Sequence, residues 1–319
     1  MKAEFVKMEG CGNDYVYIDC VGFVNDYSDK AKLARLISDR HFGVGSDGLI
    51  FVNRSKIADF EMEMYNSDGS RGEMCGNGIR CVAKLVYDRG YVSGEKFTVE
   101  SMGKIKNIEV FTRNGCVETV KVDMGEPILE ASEVPVKVSE KLLTVLDAPA
   151  GVKAAVAVPI KAGDVTAKVT CVSMGNPHGV IFMDTFEEAG RKAKNKSESL
   201  LDSKSHTPSL DTLPLTEIGP FFEHHEMFPN RVNTEFIEVI SPSEIKMRVW
   251  ERGAGETLAC GTGCCASVVA AVLEGRTERN VTVHVRGGDI NINWDESDNR
   301  IYMTGPAKTV FSGTYEYRE

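Results

Sequence analysis

Apolar and polar positions along this chain follow two periods, and the switch between them marks out its elements. Phe5, Val6 and Met8 lead into the Gly-rich stretch Gly10-Cys11-Gly12-Asn13-Asp14, and Tyr15 to Ile18 lead out of it. Residues 4–19 therefore predict strand, turn, strand. Between Ser28 and Arg40 the spacing becomes helical. Ala31, Leu33, Ala34, Leu36 and Ile37 form one stripe, with Ser28 suited to the N-cap. Leu49–Val52 and Phe60–Tyr65 return to strand, and Asn66-Ser67-Asp68-Gly69-Ser70 is turn chemistry. Ile79, Val82, Ala83, Leu85, Val86 and Tyr87 cover most of a helical circumference, which predicts a largely buried helix running to about Asp88. From Lys96 to Asp123 the period is two, with a hairpin signal at Arg113-Asn114-Gly115.

The second half is built from similar pieces. Glu126 to Asp164 is less regular and richer in Ala and Pro, so a domain boundary belongs near its start. This divides the chain into 1–128 and 129–305. Val165 to Met174 predicts a strand that runs into Gly175-Asn176-Pro177-His178. Residues 186–211 are Lys/Ser-rich and nearly free of large apolar residues, which predicts a solvated surface insertion. Phe236–Ile240 and Ile245–Trp250 are strands, and Thr262–Leu273 is an almost wholly apolar helix. Val281 to Tyr317 reads as short strands with turns at Gly287-Gly288 and 296–299.

The halves align on each other. A shift of 185 residues lays Phe60–Tyr65 on Ile245–Trp250, Asn66 on Glu251, Ser67 on Arg252 and Cys75 on Cys260, with the two buried helices in register. A shift of 163 lays Gly12-Asn13-Asp14 on Gly175-Asn176-Pro177, and the difference of 22 residues is close to the length of the polar insertion. The chain is thus expected to hold two copies of one unit.

Composition narrows the function. At 319 residues, 42% apolar and 26% charged, the chain has room for two ordinary soluble domains. A net charge of -10 without any lysine or arginine block argues against nucleic acid as a partner. No apolar run nears the ~20 residues that span a bilayer. Met1 to Gly12 has no apolar signal-peptide core, so a cytoplasmic location is expected. Nine cysteines without an export signal fit a reducing compartment, most of them as small buried hydrophobes. Cys75 and Cys81 are six apart, Cys260 and Cys264 four, and His224-His225 is at no standard ligand spacing, so no metal site is expected. Gly43-Val44-Gly45-Ser46-Asp47-Gly48 has the glycine spacing of a dinucleotide loop. A helix precedes it and a strand follows, the reverse of the order that chemistry needs, so it is a Gly-rich turn without NAD or FAD.

The candidate chemistry lies in Met74-Cys75-Gly76-Asn77-Gly78 and Ala259-Cys260-Gly261-Thr262-Gly263. Each sets a cysteine before a Gly-x-Gly turn at the head of a buried helix. A thiol there is near about half a positive charge from the helix dipole, which can lower its pKa from about 8.5 toward neutrality. Two helix N-termini converging on one substrate would bind an α-carboxylate and stabilise the charge that spreads onto it when the α-proton leaves. One thiolate removing that proton and a second thiol delivering another to the opposite face would invert a stereocentre. A lone cysteine before a helix is more often packing; two at equivalent repeat positions favour chemistry. A rival of another class uses Cys75 and Cys260 as a redox-sensing disulfide pair. Cys81, Cys264 and Cys265 lie inside the helices and are assigned to packing; Cys11, Cys20, Cys116 and Cys171 have no comparable context.

These motifs, with Gly12-Asn13-Asp14, Asn66–Ser70, Gly175–His178, Arg231-Val232-Asn233 and Glu251-Arg252-Gly253-Ala254-Gly255-Glu256-Thr257 in this order, resemble the diaminopimelate epimerase family over nearly the whole chain. The resemblance implies an α+β fold of two pseudo-symmetric domains, each a mostly antiparallel curled sheet around a central helix, with residues 306–319 able to return to the first domain. It implies cofactor-independent interconversion of LL- and meso-2,6-diaminopimelate in lysine and peptidoglycan-precursor synthesis, by a homodimer. Cys75 and Cys260 would be the acid/base thiols, Cys260 taking the proton in the LL-to-meso direction. His178 and Glu251 would assist near the reacting centre. The amides of Gly76, Asn77, Gly261 and Thr262 would hold the reacting carboxylate. Asn13, Asn66, Asn176, Asn233 and Arg252 would hold the distal end. The nearest rival is a related racemase for another amino acid; proline-type enzymes usually carry histidine where Asn77 stands. One departure is Gly48, where many family members place glutamine, so one expected side-chain contact is missing.

Overall fold

The computed structural model describes residues 2–22, 27–72, 74–188 and 209–317. By contact they form two compact units. The first contains Met1–Met124, Arg286–Asn291 and Tyr302–Glu319; the second contains Gly125–Val285 and Ile292–Ile301.

In the first unit, β1 (Lys2–Gly10) and β2 (Asn13–Asp19) form the expected hairpin, whose turn puts Cys11 and Gly12 in the left-handed region at φ 53° and 80°. β2 pairs parallel with β3 (Gly48–Arg54), which pairs antiparallel with β4 (Phe60–Asn66). β4 pairs parallel with β5 (Lys96–Ser101), and β6 (Lys104–Arg113) and β7 (Cys116–Gly125) continue as antiparallel neighbours. Two helices serve this sheet. α1 (Lys30–Ser38) buries Leu33, Ala34 and Ile37 in a cluster with Phe5, Val16, Ile18, Leu49 and Phe51. It starts one residue later than a Ser28 cap would place it. Asp29, not Ser28, is the cap, its Oδ1 accepting from Lys32 N at 2.8 Å. α2 (Gly76–Asp88) is buried from Gly76 to Val86, packed by β1, β2 and β6.

The second unit repeats this order. After the short pair β8 (Thr144–Val145) and β9 (Lys153–Ala154), β10 (Val158–Ala162) runs antiparallel to β11 (Val165–Ser173). β11 pairs antiparallel with β12 (Pro177–Phe182) and with the two-residue β13 (Glu187–Glu188). Beyond α3 (Leu215–Glu223), β14 (Asn233–Ser241) pairs parallel with β12 and antiparallel with β15 (Glu244–Glu251). β15 carries β16 (Gly255–Thr257) on one part of its length and pairs parallel with β17 (Asn280–Val285) on another. α4 (Gly261–Leu273) is buried against β11, β12 and β14. The chain ends in β18 (Gly288–Trp294), β19 (Ile301–Pro306) and β20 (Lys308–Glu316), the last antiparallel to β1.

The pairing series antiparallel, parallel, antiparallel, parallel therefore occurs twice, over β1 to β5 and over β11, β12, β14, β15 and β17. The 185-residue shift carries α2 onto α4 end for end. This is the expected α+β architecture. Three details differ from the sequence reading. α3 was not foreseen, because Gly219 and Pro220 lie inside it. Gly219 is there for packing: a Cβ would stand 2.3 Å from the Trp250 ring. Phe186, at the edge of the polar stretch, is buried 6.2 Å from Phe236, ring to ring, and belongs to the core. Leu210, at the other end of that stretch, is buried in the same core cluster, and residues 189–208 of the expected surface insertion lie outside the described residues.

Candidate active site

Both motif cysteines cap a helix. Cys75 has φ -125° and ψ 113°, extended backbone that lets its side chain turn back over the first turn of α2, and its Sγ accepts from Gly78 N at 3.2 Å. Cys260 does the same for α4, at φ -120° and ψ 110°, accepting from Gly263 N at 3.4 Å. The cysteine thus fills the place that Ser or Asp holds in an ordinary cap. The second glycine of each motif is required by close approach. A Cβ on Gly78 would stand 2.9 Å from Ile50 Cδ1, and one on Gly263 would stand 2.6 Å from Glu235 Oε1.

Around Cys75 the first unit gathers amides and carboxylates. Cys75 Sγ donates to Asn13 Oδ1 at 3.1 Å, and Asn13 Nδ2 donates to Asp47 Oδ2 at 2.8 Å. Arg40 Nη2 lies 2.9 Å from both Asp14 Oδ1 and Asp47 Oδ1, and Lys7 pairs with Asp14. Burial pushes the Asp14 carboxyl up, but the hydrogen bonds from Arg40 and Lys7 outweigh it and hold the group below the usual range. Burial raises Asp47, with the Asp14 charge adding to it. Burial, then the adjacent Cys75 thiol, push the Tyr15 hydroxyl far up, so it stays a neutral wall of this half. Gly76 and Asn77 open α2 and are buried. Asn66 ends β4 and donates to Ser70 Oγ at 2.9 Å, closing its own turn. At Gly48 a Cβ would stand 2.2 Å from Tyr65 O and 2.9 Å from Tyr15 Cε1, so this backbone has no room for the glutamine that the family resemblance leads one to expect.

Around Cys260 the second unit builds a connected line. Glu251, at the end of β15, lies beside the Cys260 thiol and receives a hydrogen bond from Thr257 Oγ1 at 2.5 Å. Thr262 Oγ1 lies 3.5 Å from Cys260 Sγ. Asn176 Nδ2 donates to Thr262 Oγ1 at 3.3 Å, and Asn176 Oδ1 lies 3.1 Å from His178 Nε2. His178 Nδ1 lies 2.7 Å from Glu235 Oε1, with both side chains fully buried. Asn233 accepts from Arg252 N at 2.8 Å and so fixes the start of the turn after β15, while Arg252 Nη1 donates to Asn230 O at 2.9 Å. Glu223 of α3 holds the same turn from below, accepting from Gly253 N at 3.0 Å and Trp250 Nε1 at 2.8 Å.

The electrostatics differ from the helix-dipole argument in one respect. Burial, then the carboxylates of Glu251 and Glu235, push the Cys260 thiol well above its ordinary value. The Thr262 hydroxyl and the Gly263 amide pull the other way but do not prevail. Burial also raises Glu251. Without substrate, then, Cys260 is a protonated thiol beside a carboxyl that can take its proton. The sequence had not singled out Glu235, Asp47 or Tyr15. A carboxylate within a run of buried strand residues was the available signal for Glu235. Among the described residues no group of three or more His, Cys, Asp or Glu side chains could hold a metal ion.

The diaminopimelate epimerase family model matches residues 5–130 and 170–310. The chain belongs to the diaminopimelate epimerase family. It is 46% identical over 315 residues to a diaminopimelate epimerase of Acetivibrio thermocellus, covering 99% of each chain. It is 48% identical over 310 residues to one of Methanococcus maripaludis strain C6, covering 97% of this chain and 98% of that one. Among solved structures, a phenazine biosynthesis protein of the PhzF family from Bacillus anthracis superposes with a TM-score of 0.61 at 14% identity, over 99% of this chain and 100% of that one. At that identity the likeness concerns the fold alone. Membership in the family makes the chain an epimerase, an enzyme of the isomerase class.

Proposed function

We propose that this epimerase interconverts LL- and meso-2,6-diaminopimelate by proton transfer between Cys75, Cys260 and one α-carbon, without a cofactor. The observation that carries the reading is the matched pair of caps: two thiols at repeat-equivalent positions, each accepting from a backbone amide of the helix it begins. In the LL-to-meso direction Cys260 is the base and Cys75 the acid. Glu251 accepts the Cys260 proton, leaving a thiolate that removes the α-proton. The amides of Gly76, Asn77, Gly261 and Thr262 hold the α-carboxylate and stabilise the negative charge that develops there. Asn13, Asn66, Asn176, Asn233 and Arg252 hold the distal end, with His178 beside the reacting centre. The enzyme works as a cytoplasmic homodimer in lysine and peptidoglycan-precursor synthesis and has no nucleic-acid partner.

Incubation with LL-diaminopimelate in deuterated water tests this. Wild type is expected to place deuterium at the α-carbon of the inverted product. Cys75→Ser and Cys260→Ser are each expected to lose epimerisation severely. Full activity in either variant sinks the two-thiol mechanism. Turnover of another amino acid, such as proline, with none of diaminopimelate would favour a related racemase instead.

A further inference from the structure

Glu235 lies on β14 beneath the first turn of α4, and nothing in the mechanism above uses it. Its Oε1 meets His178 Nδ1 at 2.7 Å, and its Oε2 has no hydrogen bond among the described residues. We infer that Glu235 is a positioning residue, which fixes the direction of the hydrogen bonds that run from His178 through Asn176 and Thr262 to Cys260. This deepens the two-thiol reading and rests on it.

Donors and acceptors along this line decide its direction. An ionised carboxylate only accepts, so the 2.7 Å contact must hold a proton, on Nδ1 or on Glu235 itself. With a hydrogen on Nε2 as well, the pair is neutral in either case; with Nε2 bare and Glu235 ionised, it would bury a net negative charge. Asn176 Oδ1, 3.1 Å from His178 Nε2, also only accepts, so Nε2 carries a hydrogen and donates. The Asn176 amide is thereby oriented with Nδ2 toward Thr262 Oγ1 at 3.3 Å. Thr262 receives that hydrogen bond and has its own hydroxyl hydrogen free to turn to Cys260 Sγ at 3.5 Å. With the amide of Gly263, a departing thiol proton then leaves a thiolate facing two donors. The titratable groups facing His178 are Glu235 from β14 and Glu251 from β15, and both of these also act on Cys260 at the head of α4; β11 places Val172 opposite His178. The 163- and 185-residue shifts carry His178 and Glu235 onto Tyr15 and Ile50, a phenol and an alkyl chain.

Glu235→Gln keeps the shape but removes the constraint, because an amide both donates and accepts. His178 could then carry its hydrogen on Nδ1 alone, Asn176 could turn over, and Thr262 would donate to Asn176 instead of Cys260. In Glu235→Gln, kcat is expected to fall about 10- to 100-fold with KM within about 3-fold of wild type. The alkaline limb of its kcat/KM profile is expected to move to higher pH. Glu235→Asp, still a pure acceptor when ionised, should keep the wild-type limb even if its rate falls. A wild-type rate and limb in Glu235→Gln overturns the inference. So does an equal loss in both variants that tracks their melting temperatures. If Cys260→Ser is fully active, the two-thiol reading falls and this inference with it. If Cys260→Ser is inactive while Glu235→Gln behaves as wild type, only the inference falls.

Discussion

Asn13 Oδ1 lies 3.1 Å from Cys75 Sγ, and its position is dictated from the other end of the amide. Asp47 Oδ2 accepts from Asn13 Nδ2 at 2.8 Å, and a carboxylate takes only donors, so the amide oxygen must face the thiol. Arg40, bonded at 2.9 Å to Asp47, keeps that carboxylate in place. Cys75 is therefore held as a donor, the state that an acid needs. Asp47→Asn removes the constraint, since an amide can present either group to Asn13. The expected result is a kcat about tenfold lower in the LL-to-meso direction. An unchanged rate, with Arg40 and Asn13 undisturbed in a crystal structure of the variant, would remove Asp47 from the mechanism.

A second prediction concerns alkaline pH. The folded-state pKa of Cys260 is raised by burial and by two carboxylates. A group raised on folding contributes stability below its unfolded pKa, about 8.5 for cysteine, and that contribution is lost as pH rises through the folded value. Wild type should therefore lose stability relative to Cys260→Ala as the pH climbs from about 8.5. Between pH 6 and 8 the difference between the two should be flat. Urea melts across this range measure it, and parallel curves for the two proteins above pH 9 would refute the raised thiol.

Much of both halves of the molecule is legible in the sequence. The strand and helix periods locate β4, β15, α2 and α4 because each is buried on a regular face or all round. The repeat follows because Cys75 and Cys260 sit at one offset with their helices. What the sequence could not supply is long-range pairing. Glu235 is 57 residues from His178, Asp47 is 34 from Asn13, and no local period records either. A lowered thiol pKa, expected at the head of each helix, does not hold at Cys260, because burial is a property of the whole fold and outweighs the hydrogen bonds from Thr262 and Gly263 there. α3 escaped notice because Pro220 and Gly219 oppose a helix locally, while Trp250 packing across from Gly219 supports it.

Gly48 offers a third test, because the family resemblance leads one to expect glutamine there. In this backbone the residue pairs with Asn66 across β3 and β4, and a Cβ would collide with Tyr65 O at 2.2 Å. Restoring the family residue should not improve substrate binding. Gly48→Gln is expected to destabilise the fold by about 1–3 kcal/mol, as overpacking of a tight site does, and to raise KM. A variant with an unchanged melting temperature and a lower KM would show that the strands open readily at this point.

The turn that bears Arg252 gives the fourth. Glu223 is buried at 5% exposure, and three donors converge on it: Trp250 Nε1 at 2.8 Å, Gly253 N at 3.0 Å and Arg231 Nη1 at 3.0 Å. Burial pushes its carboxyl up, but the hydrogen bonds from Trp250 and Gly253 outweigh this and keep it below its ordinary value. Arg231 is half exposed, so its ion pair is worth little. The weight lies in the indole and the amide, which connect α3 to the strand end at Glu251 and to the turn after it. Glu223→Ala leaves both donors unpaired, at a cost of about 1–3 kcal/mol each. It also frees the turn, and the loss of one well-placed bond from Arg252, about 1.4 kcal/mol, corresponds to about a tenfold rise in KM for diaminopimelate. Glu223→Gln keeps an acceptor for the indole and should show a smaller rise. Because the chemistry is assigned to Cys75 and Cys260, kcat at saturating substrate should change far less than KM in both variants. A kcat loss as large as the KM change would mean that α3 supports the catalytic groups directly, through Glu251 at the end of β15.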